Sequence, residues 1–310
     1  MKKIVISAIV LISLLGLIGI IATLNRKGMG NLQITGYVTV IDNYGREVTI
    51  PKKPERIVST APSNTEILFA LGLGDKVVGV TKYCNYPIEA KEREKIGGFT
   101  TVDVEKVVAL EPDLVLAAGG NGEEAIQKLE DLNLTVVVLD PKGIDDILQN
   151  IRLVGKASGT EEDALGLVKK MNQRIEAITS KTTTLSGMEK PRVFYVLWHD
   201  PLMSAGSGTF ADDLIDMAGG INIAHELDGY KSISLENVIE QDPQVIIASV
   251  GMNPTTLEYV RNEPRLQGTA AMKDGGVYGI DSDIVSRPGP RIVDALEEFA
   301  RFIHPELFQQ

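Results

Sequence analysis

The chain has 310 residues, 44% of them hydrophobic, which is room for about two domains with ordinary cores and excludes a disordered chain. Its formal charge is -11, and Lys2, Lys3, Arg26 and Lys27 stand unopposed in residues 1–27, so with those four positive charges set aside the remainder carries -15. That excess of acid excludes nucleic acid or anionic lipid as the main partner of the folded part.

Ile4 to Leu24 is an unbroken apolar stretch interrupted only by Ser and Thr; at 1.5 Å per residue it spans roughly 30 Å, one hydrocarbon core. The reading is an N-terminal membrane segment over residues 1–27, either an uncleaved anchor or a removed signal, with the acidic remainder outside the cytoplasm. The only cysteine, Cys84, is far from this run, so neither a lipid-modified cysteine directly after it nor an internal disulfide is available. Residues 28–54 read as linker and β-hairpin, with Asp42-Asn43-Tyr44-Gly45 as its turn.

Residues 55–143 follow as an α/β lobe. Arg56 to Ser59 is a buried strand, Ser63-Asn64-Thr65-Glu66 reads as a capping box opening a helix that runs to Gly72, and apolar runs at Val77 to Val80, Leu114 to Ala117 and Val136 to Leu139 alternate with helical stretches. Such alternation belongs to a parallel sheet. Residues 144–180 carry apolar positions at helical spacing, interrupted only at Gly159, and read as a long helical connector. Residues 181–310 repeat the theme, with strands at Arg192 to Leu197, Val245 to Ser249 and Val277 to Ile280, a helix around Asp213 to Gly219, and a last amphipathic helix from about Pro290 to Phe302.

The two halves are related. Phe99 to Ala117 (FTTVDVEKVVALEPDLVLA) recurs 131 positions later as Tyr230 to Ala248 (YKSISLENVIEQDPQVIIA), aromatic on aromatic, Glu105 on Glu236 and Pro112 on Pro243. Two similar lobes facing one another leave such a trace.

In open α/β sheets a ligand sits beyond the carboxyl ends of the strands. Tyr83, Tyr86, Phe99, Trp198 and Tyr230 all fall on the loops that lead away from those ends, although aromatic residues are only 5% of the chain. Pro62 and Ser63 belong to the first such loop, and Arg287, on the last, is the cation expected in the cleft. The expected site is therefore a flat, aromatic slot lined by Pro62, Ser63, Tyr83, Phe99, Trp198, Tyr230 and Arg287. For each aromatic the alternative is core packing, most of all for Tyr86 beside Pro87.

Catalytic sets are sparse. His199, His225 and His304 all lie in the second half, which excludes a multi-histidine metal site shared by both lobes. No nucleophile elbow or Walker loop is present. Gly120-Asn121-Gly122-Glu123-Glu124-Ala125, after a strand and about 20 residues before Asp140, fits a dinucleotide fingerprint and leaves a membrane-anchored nucleotide-dependent enzyme as an alternative. Against it, Glu123 and Glu124 put two negative charges where a pyrophosphate would bind. Glu105 and Glu236 each begin a helix, where the dipole alone would explain one acid. A pair, one per lobe, points to docking on a partner with two basic sockets.

From about Gly36 to Phe302 the chain resembles the substrate-binding proteins of ABC importers for cobalamin, iron siderophores and haem, the type III periplasmic binding proteins. The resemblance rests on Arg56 to Glu66 (RIVSTAPSNTE), Gly72 to Val80 (GLGDKVVGV) and Val107 to Ala117 (VVALEPDLVLA). It implies two α/β lobes bridged by one long helix, little hinge closure, a ligand between the lobes and no cofactor. It also implies docking of Glu105 and Glu236 on arginines of a permease dimer driven by a cytoplasmic ATPase. The cobalamin-binding branch is the nearest: Tyr83 matches a tyrosine of that branch, and Phe99 and Tyr230 fall where it carries tryptophans. A ferric siderophore or haem receptor is the alternative within the family, Arg287 then meeting a siderophore carboxylate rather than a corrinoid side-chain group.

Overall fold

A computed structural model of the chain describes residues 38–251 and 255–308. The apolar stretch Ile4 to Leu24 lies outside them, and no helix among the described residues is long and apolar enough to cross a membrane. Strands β1 (Val38–Ile41) and β2 (Glu47–Ile50) pair antiparallel. Their turn is held by Asp42, 4% exposed, whose Oδ1 accepts the backbone N–H groups of Tyr44 and Arg46 at 3.0 Å each. The Asn43 amide donates to the Val138 carbonyl at 3.1 Å, which docks the hairpin on the first lobe.

That lobe is a five-stranded parallel sheet in which β3 (Ile57–Ser59) is central, flanked on one side by β4 (Val77–Val80) and β5 (Glu94–Lys95), on the other by β6 (Leu114–Ala118) and β7 (Val136–Leu139). Helix α1 (Pro62–Ala70) follows β3, α2 (Val104–Ala109) precedes β6 and α3 (Glu123–Asp131) precedes β7. The expected capping box does not form. Pro62 occupies the first helical turn behind Ala61, which donates no side-chain cap, because proline's fixed φ suits that position and its missing N–H is no loss there. Glu66 turns inward instead of back to the helix start.

The connector is two helices. α4 (Ile144–Ser158) ends at Gly159, whose φ of +70° makes a left-handed cap, and α5 (Glu161–Thr182) continues in a new direction. Gly155 allows the pair to close up, since a Cβ there would lie 2.4 Å from that of Ala164. α5 rises about 33 Å over 22 residues and is fastened to the second lobe by Arg174. That guanidinium donates to Asp294 at 2.6 Å and Glu297 at 2.7 Å, both on the helix Ile292–Ile303.

The second lobe is a four-stranded parallel sheet, order β11–β8–β13–β14, from β8 (Arg192–Val196), β11 (Ile221–Asn222), β13 (Val245–Val250) and β14 (Val277–Asp281). A small antiparallel sheet of β9 (Trp198–His199), β10 (Leu202–Ala205) and β12 (Tyr230–Ser232) rides on it. Helices α6 (Phe210–Met217) and α7 (Leu235–Gln241) carry the chain onward.

The duplication read from the sequence is repeated bond for bond. Asp103 caps α2 by accepting the Lys106 amide, and Ser234 caps α7 by accepting that of Asn237, both at 3.1 Å. The residues that end those helices, Glu111 and Asp242, both sit at positive φ, 46° and 43°. Arg56 donates to the Leu110 carbonyl at 2.6 Å, and Arg192 to those of Gln241 and Asp242 at 2.7 Å each. In both lobes an arginine side chain thus satisfies the open carbonyls of a helix end.

The lobes share one core. A single apolar cluster runs from Ile57 and Leu114 through Ile147, Ile151, Met171 and Ile178 to Tyr195, Ile247 and Phe299. Across the remaining gap lies Glu66, 3% exposed. Its Oε1 accepts from Arg287 at 3.1 Å and Arg291 at 2.7 Å, and its Oε2 from Arg291 at 2.9 Å. Burial opposes the charge of Arg291, but the bond and attraction to Glu66 outweigh it and raise the guanidinium above its ordinary value. Replacing Glu66 by Ala should cost about 3–5 kcal/mol, the usual consequence of leaving a buried charge unpaired, and lower the urea midpoint accordingly. A loss within about 0.5 kcal/mol, as at a surface site, would refute the clamp.

Candidate functional site

The carboxyl ends of β3, β4, β6 and β7 open onto a cavity of about 540 Å³ between the lobes, within the roughly 300–1,000 Å³ of small-molecule sites. The first lobe supplies Ala61, Pro62, Ser63, Tyr83, Phe99, Ala118, Gly119, Gly120, Leu139, Asp140 and Pro141. The second supplies Phe210, Ser282, Asp283, Ser286, Arg287 and Pro288.

Local chemistry explains the shape. Ser59 donates to the Ala61 carbonyl at 2.9 Å and Asn64 to those of Leu116 and Ala117 at 3.2 and 3.0 Å, so the polar run after β3 is spent on the strand ends and presents Pro62 and Ser63 to the cavity. Asn121, 5% exposed, donates to the carbonyls of Thr60 at 3.1 Å and Phe99 at 2.7 Å. The residue between the glycines of the apparent dinucleotide fingerprint is therefore a strut that fixes the Phe99 loop. Gly120 is required beside it, since a Cβ there would meet the Phe99 ring at 2.6 Å. Tyr83 stands at the rim, 51% exposed, with the Lys82 ammonium 5.1 Å from its ring centre.

Of the residues expected from the sequence, Pro62, Ser63, Tyr83, Phe99 and Arg287 are brought together here. Trp198 and Tyr230 are not among the lining residues. Tyr230 belongs to β12, where its backbone pairs with Ala205, while its counterpart Phe99 lies on a loop outside the strands. Trp198 belongs to β9 and turns its indole N–H to the Asp200 carbonyl at 2.9 Å. Tyr86, 47% exposed, is neither in the core nor on the wall of this cavity; the Arg291 guanidinium stands 4.1 Å from its ring centre. Cys84 is 2% exposed and takes a bond from Thr65 at 3.1 Å. Phe210 and Asp283 escaped the sequence reading. Phe210 and Asp283 each open a helix behind a side-chain cap, Thr209 and Asp281, the signal that could have found them.

Arg287 proves to be engaged on both edges. Nη1 donates to Glu66 and, at 2.7 Å, to Asn85, while Nη2 lies 2.7 Å from Asp283 Oδ2. Its side chain is only 12% exposed. Asp140, the other carboxylate of the wall, is paired with Lys142 at 2.6 Å. Glu66 and Asp283 are set against Arg287 and Arg291, and Asp140 against Lys142, so the charges of the wall are paired; Ser63, Ser282 and Ser286 add neutral hydroxyls, and the Lys82 ammonium stands outside at the rim. A second cavity of about 580 Å³ belongs to the second lobe alone and is walled by Asp212, Asp213, Asp216 and Glu226. There the bond to Asp212 raises the His225 imidazole above its ordinary value. It lacks both the aromatic walls and the contribution of two lobes.

Glu105 and Glu236 are exposed at the second residue of α2 and α7. Arg265 lies 3.8 Å from Glu236, too far for a strong pair.

Two α/β lobes, a shared core and a largely aromatic and apolar slot between them are the architecture of a substrate-binding protein. The chain belongs to the periplasmic binding protein family, whose model matches residues 57–284. That family serves transport and is not one of enzymes, so the nucleotide-dependent enzyme reading of the Gly120 loop falls. The chain is 37% identical to an ABC transporter substrate-binding lipoprotein, YvrC, of Bacillus subtilis (strain 168), over 88% of this chain and 87% of that one. It is 31% identical to a vitamin B12-binding protein of Vibrio cholerae, over 82% and 90%. Among solved structures, the periplasmic haem-binding protein RhuT of Roseiflexus sp. RS-1 superposes with a TM-score of 0.73 at 27% identity, covering 82% of this chain and 99% of that one.

Proposed function

We propose that the protein is the extracytoplasmic receptor of an ABC importer, that it captures a corrinoid in the slot between its lobes, and that it hands this ligand to a permease dimer driven by a cytoplasmic ATPase. Residues 4–24, as anchor or signal, take the receptor to the outer face of the membrane.

The observation that carries the corrinoid reading is a largely aromatic and apolar slot whose wall charges are already paired within the protein. A corrinoid is a broad ring edged by neutral carboxamides, and it loses little on entering such a wall. Haem propionates and many siderophores bring carboxylates, which need a free cation on arrival, because a buried ion without a partner is costly. Arg287 is already held by Glu66, Asp283 and Asn85. The likeness to vitamin B12-binding relatives supports the same choice.

Calorimetric titration of the purified protein with cobinamide and cobalamin should give saturable one-to-one binding at micromolar strength or tighter, and Phe99→Ala should weaken it roughly tenfold. Binding of haemin or a ferric siderophore in preference to both corrinoids would overturn the assignment while leaving the receptor in place.

Docking is the role we give Glu105 and Glu236. The two carboxylates occupy equivalent places on the two lobes, so a permease dimer can grip both with one repeated basic socket. Charge reversal of either, Glu105→Arg or Glu236→Arg, should reduce ligand uptake by roughly tenfold or more, with the double variant worse and ligand affinity in solution retained. Uptake by the double variant at the wild-type rate would remove this role from the pair.

A further inference from the structure

Arg287 is shielded twice, and the two shields do different work. Glu66 is 3% exposed and ties both Arg287 and Arg291 across the lobes, away from the wall of the slot. Asp283 stands on the wall of the slot, its side chain 27% exposed, and covers the other edge of the same guanidinium, Nη2, at 2.7 Å. Asn85, from the first lobe, holds it there by donating to Oδ2 at 3.0 Å. Without Asp283 the wall would carry one uncompensated positive charge, on a planar donor suited to a carboxylate.

We propose that Asp283 is a specificity-determining residue that turns carboxylate-bearing ligands away from the slot. It fills the donor edge such a ligand needs, and it sets its own negative charge beside any anion that enters. Discrimination of this kind comes from a repulsive element built against the wrong ligand. The inference rests on the reading of the slot as the ligand site and deepens it, because it assigns the exclusion of anionic chelates and porphyrins to one side chain.

The test compares wild type, Asp283→Asn and the double variant Asp283→Asn with Arg287→Gln, using haemin, its dimethyl ester and cobinamide as probes. Asparagine keeps the shape of the side chain while removing the negative charge that faces Nη2. The ratio of haemin to cobinamide affinity should rise by roughly tenfold or more in Asp283→Asn, the gain should shrink as salt is raised, and it should vanish in the double variant. The ester, which has the ring without the carboxylates, should show no such gain. An unchanged ratio, or an equal gain for acid and ester, would overturn the proposal. Should Asp283→Asn melt far below wild type, Asp283→Ser supplies the same comparison. Cobinamide binding by the wild type reports on the proposed function alone, so failure of either claim is read separately.

Discussion

One buried carboxylate organises the junction between the lobes. Glu66 comes from the first helix of the first lobe and meets two guanidinium groups from the second, with all three groups largely withdrawn from water. Such a cluster is weak evidence for net stability, since desolvation consumes much of the attraction. Its value lies in geometry. Each arginine is fixed in place, the loop that carries Arg287 and Pro288 is pinned against Ser63 and Glu66, and the mouth of the slot acquires a set width. The continuous core through α4 and α5 acts in the same direction. A receptor built this way keeps its slot formed before the ligand arrives, which lowers the ordering cost of binding.

The same cluster decides the chemistry of the slot. An arginine on a ligand wall ordinarily advertises an anion site, and from the sequence Arg287 looked like one. In the fold its charge is balanced before any ligand enters, so the surface offered is aromatic and apolar with neutral hydrogen-bonding groups. The duplicated lobes differ in what they place where: their carboxyl-terminal loops meet at the slot, while equivalent helix starts put Glu105 and Glu236 on the outside.

Much of this was legible in the sequence because it is local or repeated. The strands Val77–Val80 and Val136–Leu139 lie where their apolar runs place them, and the 131-residue repeat reappears in caps, in left-handed helix ends and in the paired arginines Arg56 and Arg192. Glu66 was misread because a local pattern, serine three residues before glutamate, imitated a cap, while its true partners lie more than 200 residues away. Trp198 and Tyr230 were expected in the slot because strand ends were assigned without the small sheet β9–β10–β12, which claims both backbones. Gly159 was noticed as an interruption, but that it breaks the connector into two helices depends on its left-handed backbone. Asp283 and Phe210 reach the slot only through the relative placement of the lobes, which no periodicity encodes.

The most direct test is a crystal structure of the protein bound to cobinamide. The ring should lie between Tyr83 and Phe99 on one side and Phe210 and the Arg287–Pro288 loop on the other, with Glu66 still bonded to Arg287 and Arg291. A ligand seated in the acidic cavity around Asp212 and His225, or a slot that closes only by breaking the Glu66 cluster, would contradict it.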